Sequence, residues 1–386
     1  MIGEFIRNEA AGGALARFTR DLTADARAGR LEPVRCRDLE VSRLIDILLR
    51  HGKNNPTLVG PAGVGKTAVA EGFAQRIACE SVPLVLRNTR LLSLDHMALL
   101  AGTTYRGQYE ERVRAIVSET TAAGDVILFI DELHNLIGQG TAIGAAMDAA
   151  NMLKPALVRG DFRVIGATTS DEYERWVAGD PALERRFQKV VVRELGEIET
   201  LEILQARKER LERHHNVLIS EEALIASVKL TDLHVTDRMR PDKAIDALDE
   251  ACAHLQAEAR YSPRTEGMIK RRIELLKHEM KADRDEKRET KKPSIDDDEG
   301  YGPLERIGAE LEAFFIGTPA PVAAAGEKSA VATEPDQPRP LTLAPLEADL
   351  SRLLMEEGIV IRGHDVARVV GLMAGAAVAW EADATQ

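Results

Sequence analysis

Gly60-Pro61-Ala62-Gly63-Val64-Gly65-Lys66-Thr67 is the stretch that decides how this chain reads. It fits the spacing G-x-x-x-x-G-K-[ST]; a chance match in a chain of this length arises in about one case in a hundred. The context matters more than the spacing. A short apolar run, Thr57–Val59, precedes it, and an amphipathic segment, Lys66–Cys79, follows. A strand, a glycine turn and a helix start together make a phosphate cradle. Glycines let successive backbone N–H groups turn inward, and the helix offers its positive end to the same anion. Lys66 is expected to reach the β- and γ-phosphates of a nucleotide and Thr67 to ligate Mg²⁺.

Working outward, three further short apolar runs read as buried strands: Leu84–Leu86, Val126–Ile130 and Arg163–Ala167. Helical stretches lie between them at Tyr109–Thr121, Ala145–Val158 and Asp171–Val177. Strand–helix alternation with strands apolar on both faces predicts an α/β fold with a parallel sheet. Ile127-Leu128-Phe129-Ile130 ends in Asp131-Glu132, which sets two carboxylates at the sheet edge where ligands of open α/β sheets bind. Asp131 is expected to hold Mg²⁺, and Glu132 to orient and polarise the attacking water. The run Val164–Thr169 ends in two threonines. A strand-end hydroxyl there reads either as a γ-phosphate or water contact or as a plain helix N-cap. Arg185-Arg186 reads either as a solvated basic pair or as a charge reaching another subunit's phosphates.

Beyond residue 193 the pattern changes. Ile198–Glu212, Ser220–Leu230 and Pro241–Arg260 carry apolar residues at helical spacing, so a small all-helical domain is expected over 194–260, after a nucleotide-binding domain over 31–193 and a helical lead-in over 1–30. Ile269, Ile273, Leu276 and Met280 make a narrow seam in a charged helix, a possible short coiled coil within 261–300. A Pro/Ala-rich linker is expected over 301–345 and a last helical segment over 346–386.

Composition excludes other classes. The chain has 51 basic and 63 acidic residues, a formal charge of −12, which argues against generic nucleic-acid or membrane-surface binding. No apolar stretch is long enough to span a bilayer, and the N-terminus lacks a secretory pattern. Cys36, Cys79 and Cys252 fit neither a disulfide framework nor a zinc site, which points to a reducing cytoplasm. His134, His214 and His215 form no metal constellation and read as ordinary surface or loop histidines.

Taken in order, GPAGVGKT, ILFIDE, GATT and ALERRFQKV resemble the AAA+ ATPases of the Clp unfoldase/disaggregase group, and most closely the first of its two ATPase modules. ARAGRLEPVRCRD, AGTTYRGQYEERV, AMDAANMLKPALVRG and DRMRPDKAIDALDEA extend the likeness over about residues 15–260. The resemblance implies a P-loop AAA+ module, a parallel sheet flanked by helices, followed by a small all-helical lid domain and then a helical, flexible tail. It implies ATP and Mg²⁺ as ligands. It also implies Gly60–Thr67 for the nucleotide, Asp131 for Mg²⁺, Glu132 for hydrolysis and Thr169 as γ-phosphate sensor. Arg185 and Arg186 become fingers acting on a neighbour, which implies a homo-oligomeric, hexameric ring acting on polypeptide substrates. Tyr105, between Gly102 and Gly107, reads from sequence alone equally as a packed side chain or a contact; the resemblance makes it the pore-loop aromatic that grips an extended chain. GQGTAIGAA (138–146) matches a second pore loop.

The departures are local. Cys36 stands where the family's VIGRD motif has glycine, Arg35 replaces an apolar neighbour, and Thr104 replaces the pore-loop lysine. Arg240 stands where an apolar residue usually precedes the proline, and is a candidate to reach phosphate from the lid. The second module is not matched, so a protease partner has no support. That leaves an alternative reading: a regulatory or assembly ATPase that switches by nucleotide-dependent oligomerisation or joins a full-length Clp ring. A DNA-loading relative is disfavoured by charge.

Overall fold

The structure, a computed structural model, describes residues 13–102, 106–137, 155–160, 162–289 and 343–381. The chain divides into two compact units, one of Met1–Ala259 with Ile359–Gln386 and one of Arg260–Gly358.

The first unit is built on a six-stranded sheet in the order β1-β3-β4-β5-β2-β6. The strands are β1 (Thr19–Asp21), β2 (Asn55–Val59), β3 (Arg90–Leu94), β4 (Val126–Ile130), β5 (Arg163–Thr168) and β6 (Phe187–Val191). All neighbours run parallel except β1, which pairs antiparallel with β3 at the edge. Side chains alternate across a strand, so a sheet covered on both faces needs apolar residues at every position. Strand β4 meets this need. Leu128 and Ile130 pack on one face with Val164 and the helix Arg106–Ala123, through Tyr109, Val113 and Ile116. Ile127 and Phe129 pack on the other with Val41 and Leu44 of Asp38–Leu48 and with Val69, Phe73 and Ile77 of Lys66–Ala78. At roughly 1.5–3 kcal/mol for each large apolar side chain removed from water, these two layers supply the main force holding the sheet between its helices.

The order of the sheet has a functional consequence. Strand β5 lies between β2 and β4, with Val59 opposite Thr168 and Ile130 opposite Gly166. The ends of the glycine-turn strand and the acidic strand are therefore separated by one strand that ends in Thr168 and is followed by Thr169.

Several expected elements differ. Leu84–Leu86 is a short 3-10 turn after Pro83, with Leu84 77% and Val85 72% exposed; the strand is Arg90–Leu94, where Leu91 and Leu92 are buried on opposite faces. The described part of the lead-in, from residue 13, holds two short helices, Ala14–Phe18 and Leu22–Arg27, flanking β1. Strands β1 and β6 escape an apolar search because both are edges, and TRD and FQKVV expose part of their side chains. Asp171–Val177 divides into Ser170–Glu172 and a π-helical turn, Tyr173–Ala178. The expected helix Ala145–Val158 lies outside the described residues except for its last four positions.

The helical part of this unit holds Glu197–His215, Glu221–His234 and Asp242–Glu258. It is completed by chain from the far end of the sequence. Strand β8 (Val360–Ile361) pairs parallel with β7 (Leu218–Ile219), and helix Gly363–Ala374 packs its Val366, Val369 and Val370 against Glu221–His234. Trp380 Nε1 donates to Glu222 Oε1 at 2.6 Å. Residues expected to form a separate terminal segment thus divide: Leu343–Glu356 belongs to one unit and the rest to the other.

In the second unit Pro263–Glu289 packs against Leu343–Glu356, which buries Leu346, Leu350, Leu353 and Leu354. The expected seam is partly covered: Ile269 and Leu276 are half-buried and Ile273 is 41% exposed, while Thr265 and Arg272 are buried. Thr265 Oγ1 donates to Glu357 Oε1 at 2.5 Å, a polar contact one turn before the seam begins. No helix among the described residues is long and apolar enough to cross a membrane.

Candidate active site

A cleft of about 940 Å³ opens at the C-terminal ends of β2, β4 and β5, bordered on its far side by Pro241, Asp242 and Ile245 of the helical part. Its floor is the glycine turn. Gly63 (φ +79°) and Gly65 (φ +87°) occupy the left-handed region that lets the loop curl back. Gly65 is also the N-cap of Lys66–Ala78, and no side chain caps that end. The first N–H groups of the helix therefore face the cleft, where an anion would meet them.

Lys66 Nζ donates to the carbonyls of Gly60 at 2.9 Å and Pro61 at 2.8 Å. Burial draws its pKa down from the usual lysine value, opposed by Asp131, Glu172 and Glu132. Thr67 Oγ1 donates to Asp131 Oδ2 at 2.8 Å. These two oxygens, from the helix start and the end of β4, are hard donors of the kind Mg²⁺ takes, and Mg²⁺ is commonly held by one or two protein oxygens together with phosphates and water. Among the described residues no cluster of three or more His, Cys, Asp or Glu side chains suits a metal.

Glu132 stands beside Asp131 with its backbone in the left-handed region (φ +48°), and its N–H donates to Asp131 Oδ1 at 2.9 Å. Its carboxylate accepts from Asn135 Nδ2 at 2.7 Å. The strand-end threonines separate in role. Thr169 Oγ1 accepts from the Glu172 N–H while Glu172 Oε2 accepts from the Thr169 N–H, a reciprocal cap that leaves the Thr169 hydroxyl hydrogen unneeded by the cap. Thr168 Oγ1 donates to Glu172 Oε2 at 2.9 Å and lies 3.2 Å from His134 Nδ1. Burial pushes the Glu172 carboxyl up, but the bonds from Thr169 and Thr168 and the nearby His134 outweigh it and set the pKa below the usual glutamate value. His134, read from sequence as an ordinary surface histidine, is a cleft residue whose ring reaches Glu172 at 3.0 Å. His215 is likewise not on the surface: it is buried between Asp249 and Gln256. Only the fold brings those partners to it.

Arg185 and Arg186 follow the short helix Pro181–Glu184, capped by Asp180, and neither lines the cleft of its own chain. Arg185 is exposed; Arg186 is half-buried, its guanidinium beside Gly160. Tyr105, Thr104 and the 138–146 loop lie outside the described residues.

Comparison with known proteins accords with this geometry. The profile of the ATPase family associated with various cellular activities (AAA) matches residues 56–195, and that of the AAA lid domain matches residues 197–299. Chaperone protein ClpB of Mesorhizobium japonicum is 52% identical over 270 residues, 70% of this chain and 31% of that protein. ClpB of Porphyromonas gingivalis is 50% identical over 284 residues, 73% of this chain and 33% of its own length. A structure of the S. cerevisiae Hsp104:casein complex aligns with a TM-score of 0.58 at 43% identity, over 64% of this chain and 42% of that one. This chain belongs to the AAA ATPases of the Clp group. It spans about a third of the length of the curated relatives it matches.

Within this Clp-type module, two of the residues that depart from the family pattern, Cys36 and Arg240, find local partners. Cys36 adopts φ +58°, the conformation that a glycine takes without cost, and its Sγ donates to Glu202 Oε2 at 3.1 Å. Burial, then the Glu202 carboxylate, push the Cys36 thiol up to about 11. Arg240 does not reach the cleft. Its backbone N–H and Nε donate to Glu194 Oε1, and Nη1 lies 3.1 Å from Asp232 Oδ2, so its charge is already matched by two carboxylates. Asn135 and Glu172 are cleft residues that the sequence reasoning did not name, and His134 is one it read as an ordinary surface or loop histidine. The only signal in sequence was their nearness to Glu132 and Thr169.

Proposed function

We propose that this chain binds and hydrolyses ATP in the presence of Mg²⁺, assembles as a homomeric, hexameric ring in the cytoplasm, and uses turnover to draw polypeptide past Tyr105. The observation that carries the reading is the convergence of Lys66, Thr67, Asp131, Glu132 and the Thr168–Thr169 strand end on one cleft bordered by the helical part. Gly60, Pro61, Ala62, Gly63, Val64 and Gly65 wrap the phosphates, and Lys66 leaves the Gly60 and Pro61 carbonyls for the β- and γ-phosphate oxygens. Thr67 and Asp131 would hold Mg²⁺, which would offset phosphate charge. Glu132 orients a water and draws its proton as the oxygen attacks the γ-phosphorus, and ADP leaves. Thr169 directs its hydroxyl hydrogen toward the γ-phosphate, and Arg185 and Arg186 of the adjacent subunit offset the charge that develops there. Their place away from the chain's own cleft supports a role across a subunit boundary. The casein in the Hsp104 complex supports polypeptide as substrate class.

Electron microscopy of the purified protein with a slowly hydrolysed ATP analogue tests the ring, and Arg185→Ala tests its chemistry. Arg185→Ala is expected to bind nucleotide normally and to lose turnover only under conditions of assembly; Tyr105→Ala is expected to keep basal hydrolysis and lose remodelling of an unfolded protein. Full turnover by a strictly monomeric preparation refutes the shared site. A particle that appears only when a longer Clp ATPase is added refutes the homomeric ring.

A further inference from the structure

Arg37 is the most thoroughly buried cation at the cleft, its side chain only 2% exposed. It lies in the segment that runs past the glycine turn before Asp38–Leu48. Its Nη2 donates to the Val64 carbonyl, in the middle of the turn, and to the Arg193 carbonyl at 3.1 Å. Its Nη1 donates to Glu40 Oε1 at 3.0 Å. Arg193 belongs to the connector that leaves β6 and enters the helix Glu197–His215. One guanidinium therefore ties the phosphate loop, the connector and the helix beneath them.

The bond to Val64 has a directional effect. The Val64 carbonyl and the Gly65 N–H belong to one peptide plane, and in a trans peptide they point in opposite directions. Gly65, at φ +87° and without a Cβ, imposes little restraint on that plane. Holding the carbonyl on Arg37 fixes the Gly65 N–H on the opposite side of the peptide plane. Without Arg37 the Val64 carbonyl would be left buried without this donor, and the plane would be free to turn. The neighbouring Cys36 bond to Glu202 fastens the same segment to the Glu197–His215 helix, so a shift of that helix reaches Arg37 from both sides.

We propose that Arg37 is a positioning residue for the phosphates: it fixes the Val64–Gly65 peptide with its N–H toward the β-phosphate, and it couples that peptide to the helical part through the Arg193 carbonyl. The inference rests on the reading of the cleft as a nucleotide site. A lysine fills the space, but its single ammonium cannot serve two carbonyls and Glu40 with the geometry of a planar fork.

The test is a titration of the full chain with a fluorescent (N-methylanthraniloyl) ADP, with competition by ADP and by adenosine, for wild type, Arg37→Lys, Arg37→Met and the exposed control Arg43→Ala. Arg37→Met is expected to weaken ADP at least tenfold and Arg37→Lys by a smaller factor, with adenosine competing as in wild type and Arg43→Ala unchanged. Circular dichroism checks folding; should Arg37→Met not fold, Arg37→Lys carries the comparison alone. Wild-type ADP affinity in the folded variants overturns the proposal, as does an equal loss for ADP and adenosine, which would mean general damage and not a lost phosphate contact. Failure of the wild type itself to bind the probe defeats the nucleotide reading instead.

Discussion

Replacement of Glu132 by glutamine isolates the chemical step from binding. The two side chains are nearly isosteric, and the glutamine Oε1 can still accept from Asn135 Nδ2, which holds the carboxylate at 2.7 Å. Lys66, Thr67 and Asp131 keep their positions, because Lys66 bonds the Gly60 and Pro61 carbonyls, Thr67 bonds Asp131, and from Glu132 Asp131 accepts only the backbone N–H, which the substitution keeps. Nucleotide affinity should therefore change by less than about 0.5 kcal/mol, a factor of about two. What is lost is the group that takes a proton from the attacking water. Positioned general bases typically contribute 10²–10⁴ in rate, so turnover should fall by that factor, equivalent to roughly 2.7–5.4 kcal/mol in the barrier. Phosphate release measured beside fluorescent-nucleotide binding separates the two effects. A variant that hydrolyses ATP at the wild-type rate would remove Glu132 from the mechanism. One that loses affinity as steeply as turnover would show that the carboxylate builds the site and does not act in it.

Two further outcomes follow from packing and ionisation. Ile361 is fully buried in β8, so Ile361→Ala should lower the stability of the helical part by about 2–5 kcal/mol, read from a urea midpoint and from faster amide exchange in Gly363–Ala374; an unchanged midpoint would mean that the returning segment adds nothing to this fold. With its thiol at about 11, Cys36 should stay protonated at pH 8 and react with iodoacetamide well after the exposed Cys79, becoming reactive only as the pH rises toward that value; peptide mapping that finds both labelled at one rate contradicts the assigned Glu202 bond.

The sheet and its cleft were legible in sequence where one local rule sufficed. Val126–Ile130 is apolar at every position because both faces are covered, and it can be read without knowing what covers it. The glycine turn is equally local, since the backbone conformation, the lysine and the threonine lie within eight consecutive residues. Edge strands β1 and β6 were not legible, because half of their side chains meet water and their pairing is stated only by their partners. The seam shows the converse limit: apolar spacing marks a face, but not that Ile269 and Leu276 are half-buried there while Ile273 stays 41% exposed.

By itself, then, the sequence determined the phosphate turn, the acidic strand end and the alternation of strand and helix, each a property of neighbours along the chain. The tertiary structure alone decided that β5 lies between the two reacting edges, that residues 359–374 return to complete the helices begun at 197, and that Arg37, His134 and Asn135 face the cleft. The physical reason is that each of these depends on long-range closure, where burial and hydrogen bonding between remote segments select the partner and local spacing carries no record of it.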